Sequence, residues 1–534
     1  MARKARAGLI AAAVLIGPAQ GQAQETLPAL ANIGPWPALS YPVAFAGRLW
    51  MVNSVKGRNH NSADIYSYHP GDGDLRYERH LFSQDAGQPV VADGLLYWPF
   101  EDSRFSLGWG HFVVTDGTRW QYRTIPTALS FHTHAMTQSD GRLLAATSAW
   151  RAGLQASADG GLVWRQIYDH PTPDRQVSRI VDLASLGDRA VGYLIHRDRR
   201  RMLRLTGETV DSLPGWPEDK PVFGLTATAD RLYAAVREHD GTAVWTSDGA
   251  TSQRLSTPRE NWRIRDLFAA DGALFALSVT EAGGRVWRSE SGQDWRVIHA
   301  LAGGEPLDMA VVGGRVFVTG AGDDGRGILW GPKPDGGADR AAPARLKPPP
   351  RHTATIDWAE AGQTLDAMFA DPARYGRHGA TLRDAVYGYA KAGPPPRFFA
   401  DRLLGPLPER PVDLISGQVT VPAADLGRWI LLWGMTVSGS GQVPISLLSE
   451  PWSAPPNPSE KYFAAPPAAM WAAAAVGQLG HDTIESLIRR LSRADDPRWL
   501  QGDAVGALNA LTGLGFGYDA DAWRSWWKNP TNPG

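Results

Sequence analysis

The chain has 534 residues, and its 54 basic and 55 acidic side chains leave a formal net charge of -1. A balance so close to neutrality gives no support to nucleic acid as the main partner, because phosphate backbones are bound by an excess of Lys and Arg. The sequence contains no Cys, which excludes disulfides, thiolate metal sites and a cysteine nucleophile. With 22 Trp, 14 Tyr and 15 Phe residues available, burial of apolar surface must hold the fold together.

The first 23 residues have the pattern of a secretory signal peptide. Arg3, Lys4 and Arg6 form a basic start, residues 7–17 are apolar, and residues 21–23 offer a small-residue cleavage site. The apolar run is shorter than the roughly 20 residues that span a bilayer, and no later stretch reaches that length. We therefore expect a periplasmic or secreted protein without a membrane span after cleavage. An uncleaved membrane anchor is the alternative.

A short motif, Gly-Arg-Leu or a relative of it, recurs along the chain and precedes an apolar run each time. It starts at Gly47, Gly94, Gly141, Asp188, Asp230, Gly272 and Gly314, which are separated by 47, 47, 47, 42, 42 and 42 residues. Such a period, with short apolar runs bounded by Gly and Asp, is typical of β-propellers and related repeat arrays. The sequence predicts a lead-in over residues 24–39 and an all-β seven-bladed β-propeller over residues 40–347. Either the lead-in or residues 353–356 would close the ring.

A polar turn follows the third predicted strand of several repeats. Residues 157–164, Ser-Ala-Asp-Gly-Gly-Leu-Val-Trp, fit the pattern Ser-x-Asp-x-Gly-x-x-Trp, and weaker versions occur at residues 115–120, 247–249 and 289–295. The pattern resembles the Asp box, or BNR repeat, of sialidase-like and related propellers. In such turns Asp and Ser accept hydrogen bonds from nearby backbone N–H groups. Because the boxes recur in propellers of unrelated function, the resemblance implies a fold and not a reaction.

The inner strand of each blade should direct side chains toward the central channel. Counting back nine or seven positions from each repeat start gives a set of ionisable side chains: Asp85, His132, His134, Arg179, Arg263, Arg265 and Glu305. Residues two apart in a strand share a face, so each His pair and Arg pair should point the same way. Imidazole and guanidinium groups that converge in a concave place suit a carboxylate, phosphate or sulfate. We therefore expect a ligand site at the channel mouth.

Other interpretations of these residues stay open at this point. Propeller channels commonly hold polar side chains bridged by water, and a one-residue slip would turn a pair outward. His132 and His134 could also give two ligands to Zn, Cu or Ni. Charged loops after the second strands, among them residues 56–61 and 101–104, should lie on the same face, where solvation is the simpler interpretation. We predict no metal and no cofactor, since the sequence has no complete metal-ligand set and no P-loop.

The composition changes after Trp330. Residues 331–350, rich in Pro, Gly and Ala, indicate a linker, and residues 351–467 are predicted to be mixed and mostly helical. Within that region, residues 429–435 fit a buried helix or a buried strand. The tail, residues 468–534, is predicted to form helices over residues 468–479, 482–492, 497–511 and 519–527.

This tail resembles the closing unit of bacterial HEAT-repeat proteins. The similarity depends on residues 507–513, Ala-Leu-Asn-Ala-Leu-Thr-Gly, on residues 516–519, Phe-Gly-Tyr-Asp, and on Trp523, Trp526 and Trp527. It covers about residues 470–528 and implies a helix-pair surface used for protein contacts. A helical cap on the propeller is an equally good interpretation.

The sequence favours a non-enzymatic exported binding or scaffold protein that uses the propeller face and the helical tail for protein or anionic-ligand contacts. It contains no nucleophile motif that would indicate catalysis. The alternative is a sialidase-like glycan-acting hydrolase, in which channel arginines would hold a sugar carboxylate. That family has Arg-Ile-Pro ahead of its first Asp box and six blades, whereas this chain has Arg-Thr-Ile-Pro at residues 123–126 and seven repeats. No catalytic Tyr and Glu pair can be nominated from the sequence.

Overall fold

A computed structural model describes residues 25–56, 62–103, 109–172, 176–239, 241–255, 262–280, 283–336, 346, 355–376, 379–414, 419–453 and 465–529. The predicted signal peptide lies outside the described residues. The strands before residue 331 are β1 (Glu25–Leu27), β2 (Ala29–Ile33), β3 (Ala38–Phe45), β4 (Arg48–Ser54), β5 (Asp64–Tyr68), β6 (Leu75–His80), β7 (Ser83–Ala86), β8 (Val90–Ala92), β9 (Leu95–Ser103), β10 (Gly110–Thr115), β11 (Trp120–Ile125), β12 (His132–Ser139), β13 (Arg142–Ser148), β14 (Ala152–Ser157), β15 (Arg165–Asp169), β16 (Ser178–Leu186), β17 (Arg189–His196), β18 (Arg199–Thr206), β19 (Thr209–Ser212), β20 (Val222–Ala227), β21 (Leu232–Glu238), β22 (Gly241–Ser247), β23 (Ser252–Arg254), β24 (Ile264–Ala270), β25 (Ala273–Thr280), β26 (Gly283–Ser289), β27 (Arg296–Leu301), β28 (Glu305–Val312), β29 (Arg315–Ala321) and β30 (Gly327–Trp330).

The remaining elements form the C-terminal region. They are α1 (Trp358–Ala370), a 3₁₀ turn (Pro372–Tyr375), α2 (Ala380–Lys391), α3 (Ala400–Leu403), β31 (Pro411–Leu414), β32 (Val419–Pro422), α4 (Ala423–Ser438), α5 (Ile445–Ser449), α6 (Ala465–Ala475), α7 (His481–Leu491), α8 (Arg498–Thr512) and α9 (Ala520–Lys528). β31 and β32 pair as a small antiparallel hairpin.

The described strands before residue 331 form seven separate sheets, which confirms the predicted seven-bladed β-propeller. Blades 1, 3, 4 and 5 follow chain order from the inside outward as β3 to β6, β12 to β15, β16 to β19 and β20 to β23. In blade 2 the inner strand is split into β7 and β8, which both pair with β9. Blade 6 is built from β24 to β27, and blade 7 from β28 to β30.

The lead-in closes the ring. β2 pairs antiparallel with β30 and becomes the outer strand of blade 7, so that blade joins the two ends of the propeller sequence. β1 runs parallel to β27 at the outer edge of blade 6. An edge strand would otherwise expose unpaired N–H and C=O groups, and these pairings cover two such edges.

The repeated motif corresponds to the tight turn between the first and second strands of a blade. In blade 1, Ala46 and Gly47 have φ of 51° and 74°, and in blade 3, Asp140 and Gly141 have φ of 51° and 67°. Positive φ at both central residues is the requirement of a type I′ turn, whose twist matches that of the flanking strands. Gly at the second position adopts this conformation without strain, which explains why the motif recurs with Gly.

The polar turn between β14 and β15 is held by its own side chains. Asp159 Oδ1 accepts hydrogen bonds from the backbone N–H groups of Leu162 (3.0 Å) and Val163 (2.9 Å). The Trp164 indole N–H donates to the Gly161 carbonyl at 3.1 Å, so the ring folds back beneath the turn. These bonds satisfy backbone groups locally, and the link to Asp boxes remains a resemblance.

Apolar clusters fill the spaces between neighbouring blades. Trp50 and Trp98, both almost fully buried, lie in the cluster between blades 1 and 2. At the closure between blades 1 and 7, the rings of Tyr68 and Phe317 are 6.0 Å apart. Since each blade can bury its faces only against its neighbours, the ring is stable only as a closed set.

The helical region packs on the outer side of blades 1 and 2 and shares a core with them. Trp471 of α6 stacks on Phe82 with ring centroids 4.7 Å apart. Trp109, just before β10, lies 4.9 Å from Tyr387 of α2 and 5.9 Å from Trp433 of α4. Propeller and helices are therefore joined by aromatic packing. Among the described helices, none has the length and apolar content needed to cross a membrane.

Two helices settle details that the sequence left open or placed differently. The run at residues 429–435 is helical and buried throughout within α4. α6 ends at Ala475, four residues before the predicted end, and Gly477 follows with a φ of 68°. Because positive φ at Gly terminates a helix readily, this glycine explains the earlier end. The similarity of the tail to HEAT repeats stays a prediction.

Candidate ligand site in the propeller channel

The inner strands surround the channel, and each carries an irregularity near its middle. Pairing with the second strand shifts register in blades 1, 3, 4, 5, 6 and 7, and in blade 2 the inner strand is interrupted. The residues at this point lie six positions before each repeat start and are Tyr41, Gln88, Ala135, Asp182, Gly224, Asp266 and Asp308. A β-bulge redirects side chains locally, so these residues lie where one blade approaches the next.

Carboxylates at the bulges join one blade to the next. Asp308 Oδ2 of blade 7 accepts a hydrogen bond from the Tyr41 backbone N–H of blade 1 at 2.9 Å. Asp266 Oδ2 of blade 6 accepts from the Met309 backbone N–H of blade 7, also at 2.9 Å. In blade 5 the equivalent residue is Gly224, where an added Cβ would collide with the backbone of blade 6. Residues at the bulge positions therefore connect neighbouring blades in addition to lying at the channel.

Several channel carboxylates are held partly neutral by burial. Burial raises the pKa of Asp182 to about 7. Burial and the nearby charge of Asp308 raise the pKa of Asp266 well above its usual range. Burial also raises the pKa of Asp85, although the Lys56 ammonium partly offsets that effect. The channel is consequently less negative than its number of carboxylates indicates.

One group of charged and imidazole side chains comes from blades 2, 3 and 4. The rings of His132 and His134 are stacked with centroids 5.6 Å apart. His134 Nδ1 lies 3.9 Å from Glu101 Oε1, at the end of β9, and Arg179 Nη1 lies 3.9 Å from the same oxygen. A single carboxylate therefore faces both an imidazole and a guanidinium group.

His134 also contacts a buried hydroxyl group. Its Nε2 lies 2.9 Å from Ser148 Oγ, which gives the sequence Ser148, His134, Glu101 that a serine nucleophile would need. Ser148 is completely buried, however, and no substrate atom can reach it. Burial, together with the charges of His132 and Arg179, lowers the pKa of His134 well below its usual range. A lowered pKa makes His134 a weaker base, so these observations do not favour catalysis by Ser148.

A second group comes from blades 1, 6 and 7. The Lys56 ammonium lies 4.1 Å from the centre of the Tyr41 ring and 3.8 Å from Asp308 Oδ2. Arg265 Nη2 lies 3.8 Å from Glu305 Oε1. Cation and ring attract one another in such an arrangement, which holds Lys56 above the channel wall.

Lys56 and Tyr41 connect the two groups electrostatically. The charge of Lys56 lowers the pKa of Tyr41, but burial and the carboxylates of Asp85, Asp308 and Glu101 outweigh it and raise that pKa above its usual range. Burial acts against the charge on Lys56, yet Tyr41, Asp308 and Asp85 raise the pKa of the ammonium overall. Lys56 is therefore charged and the Tyr41 hydroxyl is un-ionised across the physiological range.

Five of the seven predicted site residues belong to these two groups. His132, His134 and Arg179 gather around the carboxylate at the end of β9. Arg265 and Glu305 face each other across blades 6 and 7. The stacking of the two His rings agrees with side chains on one face of a strand, and ligand binding by these residues stays a prediction.

The other two predicted residues are placed differently. Asp85 is buried in β7 and accepts a hydrogen bond from the Ala86 backbone N–H, and Arg263 is exposed just before β24. Among the residues that the structure describes, none forms an ion pair or hydrogen bond with the Arg263 side chain. Lys56 and Glu101, which stand closest to the predicted set, were both predicted to be solvated loop charge on this face. That prediction was wrong for Glu101, which lies within β9 and pairs with Asp85 of β7. The sequence signal that could have identified both as channel residues was their position near the end of a blade's second strand.

A metal centre has no support in the described part of the chain, where no three His, Asp or Glu side chains are grouped to hold an ion. The carboxylates of the channel are engaged instead with backbone N–H groups or cations. What the arrangement offers chemically is a set of cations that several blades contribute to one channel.

Comparison with known proteins gives no family and only distant structural similarity. No family model matches the chain, and no curated protein matches it. Solved structures do resemble it. One from a study of two prolyl endopeptidases matches with a TM-score of 0.40 and 11% identity, over 55% of this chain and 50% of that chain. YCF48 from Cyanidioschyzon merolae matches with a TM-score of 0.40 and 13% identity, over 56% of this chain and 97% of that one.

A third similar structure is the Pan2 WD40 domain of Neurospora crassa. Its TM-score is 0.39 at 12% identity, over 61% of this chain and 96% of that domain. This chain thus spans the whole of two propeller structures and half the length of the prolyl endopeptidase. At such low identity the similarity concerns the fold alone.

Proposed function

We propose that the protein is an exported, non-enzymatic binding protein whose propeller channel takes an anionic ligand, with the helical region as a second contact surface for a protein partner. The observation that carries the proposal is the convergence of cations from several blades on the channel. Lys56 lies 3.8 Å from Asp308, and Arg265 lies 3.8 Å from Glu305. Arg179 lies 3.9 Å from Glu101. Hydrogen-bonded ion pairs are about 2.7–2.9 Å long, so these cations are not committed to their neighbours.

Ion pairs outside the channel vary in length. Arg165 and Glu208 approach to 2.6 Å, whereas Arg204 and Asp211 are 3.9 Å apart. The channel therefore differs less in pair length than in the convergence of cations from several blades. The side chains of Arg179 and Arg265 are 39% and 44% exposed, so an incoming anion can reach them. Burial raises the pKa of Asp182 and Asp266, which reduces the negative charge of the channel that such an anion would meet. A carboxylate, sulfate or phosphate group fits these properties best.

Catalysis is not favoured by the channel groups. A sialidase-like hydrolase would need a Tyr nucleophile assisted by a carboxylate. Tyr41 is within electrostatic reach of Glu101, but its pKa is raised, which makes its phenol harder to ionise. An activated nucleophile has its pKa lowered, and Tyr41 shows the opposite. Binding without turnover is the function proposed.

Thermal unfolding of the intact protein with sulfate, phosphate or sialic acid tests the channel. A ligand at about 100 times its Kd should raise the melting temperature by about 2–3 °C for a chain of this size. Arg265→Gln should abolish the increase. Arg165→Gln is the matched control, because its side chain is 58% exposed and lies on β15, the outer strand of blade 3. If none of the three anions stabilises the protein, or if Arg265→Gln responds like the wild type, the proposal is wrong.

The helical region requires a separate test. Because α6 and α8 share a core with blades 1 and 2, deletion of residues 351–534 would expose that core and report misfolding. Arg489, 61% exposed on α7, allows a point change instead. Recovery of a partner by the full chain and its loss in Arg489→Glu, with an unchanged melting temperature, would support the proposed surface. Equal recovery would exclude this face of α7.

A further inference from the structure

A second cavity, separate from the channel, lies between the outer strands of blade 2 and the helical region. Its volume is about 430 Å³, within the range of small-molecule sites in proteins. β10 and β11 supply one wall, and residues of α2, α4, α6 and α8 supply the others. Since both parts of the chain contribute, the cavity exists only where the helices are docked.

Aromatic rings form much of this lining and hold one another in place. Tyr387 and Trp433 are stacked with centroids 5.8 Å apart and an interplanar angle of 17°. Tyr122 meets Trp471 edge to face at 4.7 Å. Trp120 lies at the propeller side of the cavity. Rings that are packed in this way lose little further freedom when a planar ligand binds.

Three cations also line the cavity, whereas no Asp or Glu is among its lining residues. The Arg79 guanidinium lies 5.2 Å from the centre of the Trp120 ring. The Nε atoms of Arg79 and Arg123 are buried and have no hydrogen-bond partner among the described residues. Burial, followed by the charge of Arg123, lowers the pKa of Lys391, and Asp159 on a neighbouring blade only partly offsets this. Cations close enough to lower one another's pKa repel each other, and an anion bound between them would relieve that repulsion.

Of the three cations that line the cavity, Lys391 is the one whose ammonium N–H donors remain available to a ligand. It lies half-buried in the last turn of α2, and none of the described residues forms an ion pair or hydrogen bond with its ammonium. Arg123, by contrast, already donates to the Gly160 carbonyl and to Gln121 Oε1. An acid group in the cavity would therefore meet Lys391 first.

His111 adds a buried polar group without a normal hydrogen bond. It is 3% exposed and lines the cavity, and neither ring nitrogen has a partner of good geometry, although the Trp109 backbone is close. Burial lowers the pKa of His111 to about 3, so the ring is neutral. A buried polar group that lacks a partner is destabilising, and a ligand atom that bonded it would remove that cost.

We propose that this cavity binds one planar aromatic anion, an aromatic carboxylate or sulfonate, with its ring against the aromatic walls and its acid group toward Lys391. The site does not depend on the proposed channel function, since it shares no residue with the channel. The aromatic walls account for the planar body of the ligand, and the cations account for its charge.

The experiment uses the intact protein and two fluorescent naphthalenes of similar size. One is 1-anilinonaphthalene-8-sulfonate, which carries a charge, and the other is N-phenyl-1-naphthylamine, which does not. The sulfonate should bind one per chain and at least about tenfold more tightly than the amine, as expected for one new charge contact. Lys391→Met should weaken sulfonate binding by about tenfold and leave amine binding unchanged. Lys528→Met, in the last turn of α9 but outside the cavity, is the control and should change neither.

A second variant identifies the location. Ala510→Trp fills the cavity from α8, and both dyes should lose binding while the melting temperature shows that the protein is folded. Arg265→Gln, in the channel, should leave both affinities unchanged, which separates this site from the proposed anion site. The inference is overturned if the dyes bind equally, if several sulfonates bind per chain, or if sulfonate binding survives Lys391→Met or Ala510→Trp unchanged.

Discussion

The channel and the junction between propeller and helices both contain charged side chains, but these side chains differ in burial and in the distances to their partners. At the junction, Asp64 accepts hydrogen bonds from Trp36 Nε1 at 2.7 Å, Tyr518 Oη at 2.8 Å and Tyr77 Oη at 3.2 Å. The His80 ring lies 2.8 Å from the same carboxylate. In the channel, backbone N–H groups bond Asp308 and Asp266 at 2.9 Å, but the side-chain cations and His134 lie 3.8 to 3.9 Å from their nearest carboxylates.

The junction network also crosses from one part of the chain to the other. His80, at the end of β6, lies 3.1 Å from Asp503 Oδ1 of α8 through its second ring nitrogen. Both of these residues are completely buried. Burial works against the charge on His80, but its bonds to Asp503 and Asp64 outweigh burial and raise its pKa to about 9. Short hydrogen bonds between side chains join the two parts of the chain, whereas the arginines of the channel form longer ion pairs and stay partly exposed.

The largest effect should come from removing the central carboxylate of the junction. Asp64→Asn would remove one of the two carboxylates that bond the buried His80 imidazolium, and with it the acceptor shared by Trp36, Tyr77 and Tyr518, which costs about 3–5 kcal/mol of unfolding free energy. Urea unfolding measures the change. Asp169→Asn removes a partly exposed partner of Arg151 and should cost at most about 1 kcal/mol. Equal losses in the two variants would show that the junction is no more tightly held than the surface.

The junction should also make stability depend on pH. The folded-state pKa of His80, about 9, lies above the unfolded value of 6.5. Its contribution is therefore fully present below pH 6.5 and is lost as pH rises through 9, which amounts to about 2–3 kcal/mol between pH 7 and pH 10. Unfolding of wild type and His80→Gln across that range measures it. The loss between pH 7 and pH 10 should be smaller in the variant, and parallel curves would contradict the assignment.

A smaller effect is expected from a glycine that lets α8 approach the network. A Cβ on Gly502 would lie 2.8 Å from the Tyr518 hydroxyl and 3.2 Å from the His80 ring. Gly502→Ala should cost about 1–3 kcal/mol, because it forces apart groups that are already bonded. Gly388→Ala, in α2, meets no atom within 4 Å and should instead stabilise by about 0.5–1 kcal/mol. Urea unfolding of both variants would decide, and the same sign of change in each would contradict the packing.

The smallest change in stability is expected in the channel. Arg265 is 44% exposed and forms only a long pair with Glu305, so Arg265→Gln should alter the unfolding free energy by less than about 1 kcal/mol. The same variant should lose the response to anions. A loss of several kcal/mol on urea unfolding would instead assign Arg265 to the structure of the ring.

Much of the propeller could be predicted because most of its repeats contain a turn whose backbone conformation restricts the residues in it. Type I′ turns such as that at Ala46 and Gly47 require positive φ at both central residues, and this requirement restricts the sequence in five of the seven repeats. The bulges could not be found in the same way. Their residues range from Asp308 to Gly224 and Tyr41, and what they share is a backbone position and not a side-chain type. Channel residues were therefore found in part, and Lys56 and Glu101 were taken for loop charge.

The junction was missed for a different physical reason. His80 and Asp503 are separated by 423 positions, and no local pattern relates them. Gly502 and Gly506, one turn apart on α8, face His80, and this spacing of small residues was the one available sign of close packing. The helices themselves were predictable from apolar spacing, whereas the surface against which they pack depends on tertiary contacts.

Diffraction from crystals of the intact protein soaked in selenate would test the central claim, that channel cations are available to an anion. The account predicts an anomalous selenium peak in the channel within about 4 Å of the Arg179 or Arg265 guanidinium group, the separation expected of a hydrogen-bonded pair. A channel without selenium, in which both arginines close onto Glu101 and Glu305 at hydrogen-bond length, would contradict it.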